Sequence, residues 1–79
     1  MEVAHIENRV IDLVARELKA KKDKILLDTD FREDLDADSL DTTSLLMRIE
    51  EQFNVQLTDE EWHGLRTVRD IVAYVSRRH

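Results

Sequence analysis

The residues around Ser39 place one hydroxyl group among several carboxylates. Residues 35–42 read Leu-Asp-Ala-Asp-Ser-Leu-Asp-Thr, so Asp36, Asp38 and Asp41 flank the serine. A serine in the first turn of a helix is exposed, and the unpaired N–H groups and positive dipole end there favour an attached phosphate. The carboxylates repel free phosphate. Taken alone, Ser39 is therefore interpreted as an ordinary serine at a helix start, and no site that binds free phosphate by itself is predicted.

The same segment also looks like the start of a calcium-binding loop. Counted from Asp34, however, the sixth residue is Ser39 where such a loop needs Gly, and the twelfth is Leu45 where it needs Glu. An EF-hand is therefore excluded, and we predict no metal site.

Hydrolysis by a nucleophilic serine would need a positioned base and an oxyanion hole. No serine in the chain is flanked by Gly, there is no Cys, and the only histidines are His5, His63 and His79. We interpret His63 as a residue on a helix surface. The chain is therefore predicted not to be an enzyme.

The elements that position Ser39 are predicted to be helices. The chain has 79 residues with one Gly and no Pro, too few turn-forming residues for the hairpins of an all-β fold. We predict an all-α fold, a four-helix bundle with a short third helix and a long loop between helices one and two. At this length, residues 1–79 are expected to form a single domain.

The spacing of apolar residues and helix caps gives the limits of these helices. Apolar residues from Val3 to Leu18 step by three and four, which predicts the first helix. A loop over 25–38 should be held to the core by Phe31 and Leu35. The later helices should begin after three capping residues and carry inward apolar stripes; the caps are Asp38, Thr58 and Thr67.

The acidic charge is concentrated in the middle of the chain. Residues 25–62 hold two Arg against twelve Asp and Glu, whereas the two flanking segments are net basic. Such a field repels nucleic acid and anionic membranes and attracts a basic protein surface. Since the sequence also lacks a long apolar run, we expect a cytoplasmic, soluble protein with protein partners, no nucleic acid and no membrane.

Three segments resemble the acyl carrier proteins of fatty-acid and polyketide synthesis. Residues 31–35 read Phe-Arg-Glu-Asp-Leu, residues 37–42 read Ala-Asp-Ser-Leu-Asp-Thr, and residues 50–53 read Glu-Glu-Gln-Phe. The Asp-Ser-Leu triplet alone is a weak motif, but its place between a long loop and an amphipathic helix is specific. The likeness covers most of the chain.

The resemblance implies a prosthetic group on Ser39. A phosphopantetheinyl transferase would attach 4′-phosphopantetheine to this hydroxyl as a phosphodiester, and the thiol of the arm would carry acyl groups as thioesters. Asp38 would help to place a magnesium ion in the transferase complex, and Leu40 would complete the attachment motif. The protein would deliver its cargo to fatty-acid, polyketide or related acyl-transfer enzymes and is expected to be a monomer.

The resemblance also implies two further sets of residues. Partner enzymes with basic docking surfaces would recognise the outward face of the second helix, at Asp41, Ser44, Arg48, Glu50 and Glu51. The cargo would be sheltered in an acyl pocket lined by Leu45, Leu46, Ile49, Trp62, Leu65 and Val72.

Two positions of this outward face depart from the housekeeping fatty-acid carriers. Ser44 replaces an acid and Arg48 adds a base, which favours a specialised carrier for a dedicated pathway. The alternative from another class is an acidic helical adaptor that binds a basic protein without any prosthetic group.

Overall fold

The computed structural model describes residues 2–35 and 37–78. Its helices are α1 (Val3–Leu18), α2 (Ser39–Phe53), α3 (Asp59–His63) and α4 (Val68–Arg78), with a single 3-10 turn at Lys22–Lys24. The predicted all-α fold with a short third helix is confirmed. Within the described ranges, no helix has the length and apolar character that crossing a membrane requires.

The helix ends follow the capping chemistry that the sequence predicts. Asp38 caps α2 by accepting a hydrogen bond from the backbone of Asp41. Thr58 and Glu61 form a complete capping box at the start of α3. At the other end of α2, Asn54 adopts a left-handed conformation with φ of 52°. This conformation is typical of residues that end helices and reverse the chain.

One apolar core joins the four helices. The most extensive helix contacts are those of α1 with α2 and with α4. By contrast, α3 contributes one buried side chain, that of Trp62. The core therefore rests on three long helices, while a five-residue helix covers one side of it. Residues of these elements and of the loops that are fully buried include Val10, Val14, Phe31, Leu45, Val68, Ile71 and Val75.

The connection between α1 and α2 is fixed to the core by at least three apolar side chains. Phe31 is completely buried, and Leu35 is partly buried and packs against the core, so both predicted anchors are confirmed. The sequence did not single out a third anchor, Ile25, which is 4% exposed. This residue directly follows the 3-10 turn, which brings its side chain back onto the bundle.

Backbone hydrogen bonds hold the same connection against the start of α4. The N–H of Phe31 donates to the carbonyl of Arg66 (3.1 Å), and the N–H of Val68 donates to the carbonyl of Thr29 (3.2 Å). Between them, Asp30 and Thr67 form an isolated antiparallel bridge. Residues 29–31 of the connection are therefore a fixed part of the fold.

Two carboxylates support this junction. The Asp30 carboxylate accepts from the backbone N–H groups of Glu33 and Arg32, and these bonds, with the Arg66 guanidinium, hold the pKa of Asp30 below its usual range. Asp70 accepts from the backbone N–H groups of Arg66 and Thr67, which lowers its pKa in the same way. The hydrogen bonds of both Asp30 and Asp70 favour the charged form of the carboxylate.

We expect acid to weaken the fold through Asp30 and Asp70. Because the folded state lowers both pKa values, their contribution to stability is complete above the unfolded pKa and is lost as pH falls from about 5 through the folded values. Thermal unfolding followed by circular dichroism between about pH 7 and pH 2.5 should show this decline. The variants Asp30→Asn and Asp70→Asn should each be less stable at pH 7 and lose less stability in acid. An unchanged acid response in both variants would contradict this assignment.

Candidate functional site

Ser39 is the first residue of α2, and its side chain is exposed. The preceding residue, Asp38, has an extended backbone with φ of −88°, which turns the chain sharply into the helix. Leu40, the next residue, is 80% exposed. The hydroxyl therefore stands on a corner of the molecule that a large enzyme can approach.

The first turn of α2 is well ordered by its own polar groups. The Asp38 carboxylate accepts from the N–H of Asp41 (2.9 Å), and the Asp38 carbonyl accepts from the N–H of Thr42 (3.0 Å). The Thr42 hydroxyl donates to the carbonyl of Ser39 (3.1 Å). These contacts position the backbone of Ser39 and leave its hydroxyl without a hydrogen bond to another described residue.

The fit of this corner to a phosphodiester can be tested from its free donors. Neither the N–H of Ser39 nor that of Leu40 is bonded to another described residue, so both can face a phosphate on the serine oxygen. Against this, the carboxylates of Asp38 and Asp41 add negative charge, which disfavours free phosphate. Asp36 lies outside the described residues. The residues thus fit a covalently attached phosphate better than a bound phosphate ion.

The predicted partner face of α2 is largely exposed. Ser44, Arg48 and Glu51 are exposed, and Asp41 is partly so. Leu40 and Met47 lie among them, exposed by 80% and 55%. This face therefore combines apolar side chains with charges, as docking surfaces do. Glu50 has a further contact that the sequence did not predict, because its carboxylate accepts from the N–H of Leu57 (2.9 Å).

Arg48 is bound to the chain's own carboxylates. Its Nε lies 2.9 Å from Glu17 Oε1 on α1, and its guanidinium also lies 3.4 Å from Glu51 Oε2. These three residues line a shallow surface cavity of about 180 Å³ together with Ser44 and Met47. Exposed ion pairs of this kind stabilise a fold by only about 0–1 kcal/mol each. Their larger effect is to neutralise acidic charge on the outward face.

The six residues predicted to line an acyl pocket lie in and around one core. Leu45, Ile49, Trp62, Leu65 and Val72 are all at least 92% buried, and Leu46 is partly buried and packs against them. They come from α2, α3, α4 and the short α3–α4 connection. The side chains therefore fill the space between these elements themselves.

Sequence reasoning missed the role of Arg32. Its guanidinium lies over the ring of Phe31, with 5.3 Å to the centroid, and over the ring of Trp62, with 5.5 Å. It also donates to the carbonyls of Trp62 (2.9 Å) and His63 (3.3 Å). An arginine between two predicted anchors was the available signal, but its partners lie some 30 residues away in sequence.

Comparison with known proteins decides the family. The sequence profile described as "Phosphopantetheine attachment site" matches residues 8–75, which include the whole of α2 and α3. The chain belongs to the phosphopantetheine-dependent acyl carrier family. Acyl carrier proteins bear 4′-phosphopantetheine and carry acyl groups without catalysing a reaction themselves, so this chain is a carrier and not an enzyme.

Individual acyl carrier proteins are similar over nearly their full length. The acyl carrier protein of Akkermansia muciniphila is 43% identical over 72 residues, which is 91% of this chain and 90% of the relative. That of Rickettsia canadensis is 42% identical over 73 residues, covering 92% and 85%. That of Syntrophobacter fumaroxidans is 38% identical over 77 residues, covering 98% and 95%. A carrier of this family interacts with a phosphopantetheinyl transferase and with acyl-handling enzymes.

Proposed function

We propose that the protein carries acyl groups as thioesters on 4′-phosphopantetheine attached to Ser39. The observation that carries this proposal is the exposed hydroxyl at the first residue of α2, beside two backbone N–H groups that bond to no other described residue, inside the matched region. When bound, the arm supplies a thiol, which this chain otherwise lacks because it has no Cys.

The other hydroxyl groups support the choice of Ser39. Those of Thr29, Thr58 and Thr67 accept hydrogen bonds from backbone N–H groups, as turns and caps require. The Thr42 hydroxyl donates to a carbonyl, and the Ser76 hydroxyl oxygen is buried. Ser39 alone joins a helix start, exposure and the Asp-Ser-Leu context. Asp38 and Leu40 are proposed to complete the surface that the transferase reads.

We assign the outward face of α2 to the recognition of partner enzymes. Asp41, Ser44, Arg48, Glu50 and Glu51 are the proposed contacts, with the exposed Leu40 and Met47 between them. Enzymes of fatty-acid, polyketide or related acyl transfer, with basic docking surfaces, are the proposed partners, and the carrier is proposed to act as a monomer. The Arg48 pairs with Glu17 and Glu51 support a specialised partner, because they make this face less acidic.

The acyl cargo is proposed to enter the core between α2, α3 and α4. The supporting observation is that Leu45 and Ile49 of α2 and Val72 of α4 share one apolar cluster. Burial is worth about 0.8 kcal/mol per methylene, so a chain of several carbons gains from entering. Leu46, Trp62 and Leu65 complete the proposed lining.

Loading with an acyl arm tests the proposed function. The purified protein is incubated with a promiscuous phosphopantetheinyl transferase and octanoyl-coenzyme A, and its intact mass is measured before and after hydroxylamine treatment. We expect one addition of octanoyl-phosphopantetheine, from which hydroxylamine removes only the octanoyl group, since it cleaves the thioester. No addition would contradict the carrier function and favour the acidic adaptor.

Partner choice should depend on Arg48. Basic partner surfaces are repelled by Arg48, so the double variant Arg48→Ala with Ser44→Glu should react faster with a generic fatty-acid acyl-transfer enzyme. We expect a several-fold higher initial rate at about 10 mM salt and convergence with the wild type at about 500 mM, where screening is strong. A cognate partner should instead prefer Arg48.

Arg77→Glu is the matched control for this experiment. It changes the net charge by the same amount, but on the exposed side of α4. Its rates should follow those of the wild type. If all three proteins react equally at every salt concentration, or if the control matches the double variant, the local role of Arg48 is contradicted.

A further inference from the structure

The short helix α3 is the side of the core that can open most easily. Its five residues contribute a single buried side chain, Trp62, whereas α1 packs extensively on α2 and α4. Gly64 directly follows α3 and ends it. Any apolar chain that enters the core from the α2 side at low cost must therefore displace α3 rather than one of the long helices.

Trp62 is held in place by residues of the loop that precedes Ser39. Its ring stacks on Phe31 with 5.4 Å between the centroids and an interplanar angle of 26°. Phe31 is fully buried, and Trp62 is 6% exposed. The stack thus joins α3 to the connection between α1 and α2, eight positions before the proposed attachment residue.

Arg32 closes this stack from the outside. The guanidinium lies over both rings and donates to the last two carbonyls of α3, those of Trp62 and His63. The Arg32 side chain thus combines two cation–π contacts with two hydrogen bonds to the backbone of α3, the helix that an entering chain would displace. Displacing Trp62 breaks all of them together.

We propose that Arg32, Phe31 and Trp62 form a latch that sets the minimum length of acyl chain admitted to the core. This rests on the proposed attachment at Ser39 and names the residues that select the cargo. A chain enters only when its own burial offsets the displacement of Trp62 and the loss of the Arg32 contacts. Burial of one large aromatic side chain equals that of about four methylenes, so shorter chains stay outside. Longer saturated chains enter and release Trp62.

Trp62 itself reports on the latch, because it is the only tryptophan in the chain. Saturated acyl arms from butyryl to dodecanoyl are attached with a phosphopantetheinyl transferase, and acrylamide quenching of Trp62 fluorescence is measured for each. In the wild type, the butyryl form should match the unloaded protein, and the dodecanoyl form should be quenched at least twofold more strongly.

Arg32→Met removes the latch but keeps an apolar stem of similar length. We expect the chain length at which quenching rises to be about two methylenes shorter than in the wild type. Arg69→Met is the matched control, since Arg69 also ties the connection to α4, through Asp28 at 2.9 Å, but lies over neither ring. Its length dependence should equal that of the wild type.

The proposal is overturned if Arg32→Met and the wild type have the same length dependence, including no response at any length. If Arg32→Met does not fold by circular dichroism, Arg32→Lys is compared with the wild type in its place, and its threshold is expected at a shorter chain length than that of the wild type. Intact mass distinguishes failure of the latch from failure of the proposed function. A protein that accepts no acyl arm contradicts the attachment. A protein that loads normally but has the same threshold in Arg32→Met and the wild type contradicts only the latch.

Discussion

Ser39→Ala is expected to abolish attachment of phosphopantetheine completely. Among the residues that the structure describes, the Ser39 hydroxyl alone combines exposure, the first position of a long helix and neighbouring N–H groups that bond to no other described residue. The fold of the variant should be unchanged, because the Ser39 hydroxyl makes no hydrogen bond with the described residues. The backbone carbonyl at position 39 is kept in the variant and still accepts from the Thr42 hydroxyl. Intact mass after incubation with transferase and coenzyme A measures the effect.

Ser44→Ala is the matched control for this experiment. Ser44 is also exposed on α2 and lies further along the same helix. The control should load to completion, like the wild type. Equal labelling of Ser39→Ala and the wild type would show that the group is attached elsewhere.

Phe31→Ala should cause the largest loss of stability. The side chain is completely buried, stacks on Trp62 and holds the loop against the core. Removing a buried Phe costs about 3–5 kcal/mol, a large part of the total stability of a domain this small. We expect the melting temperature to fall by about 15 °C or more.

Leu26→Ala provides the control in the same loop. Leu26 is 66% exposed, so its truncation should change stability by no more than about 0.5 kcal/mol. Thermal and urea unfolding by circular dichroism compare the two variants. Similar melting temperatures for them would contradict the role of Phe31 as the anchor of the connection.

The helices could be predicted from sequence because their signals are local. The apolar residues of α1 recur at steps of three and four positions. Asp38 and Thr58 each accept from a backbone N–H three positions further on, and the structure has both caps. The proposed attachment segment has a local signal too, since the whole Asp-Ser-Leu context lies within one turn. The spacing of residues along the chain does not predict which residues α3 packs against.

The contacts of Arg32 and Arg48 are long-range and could not be predicted from spacing. Arg32 reaches Trp62 across 30 positions, and Arg48 reaches Glu17 across 31. A charged residue in a polar stretch is usually a solvated side chain. Only the placement of α3 over the loop, and of α1 beside α2, turns these two arginines into bridges between elements.

The location of the prosthetic group on the wild-type chain is the most direct test of attachment at Ser39. The protein is produced together with a phosphopantetheinyl transferase, digested, and analysed by tandem mass spectrometry with fragmentation that preserves the phosphodiester. We expect one phosphopantetheine per chain, located on Ser39, with Thr42, Thr43 and Ser44 unmodified. An unmodified chain, or a group located on any other hydroxyl, would contradict attachment at Ser39.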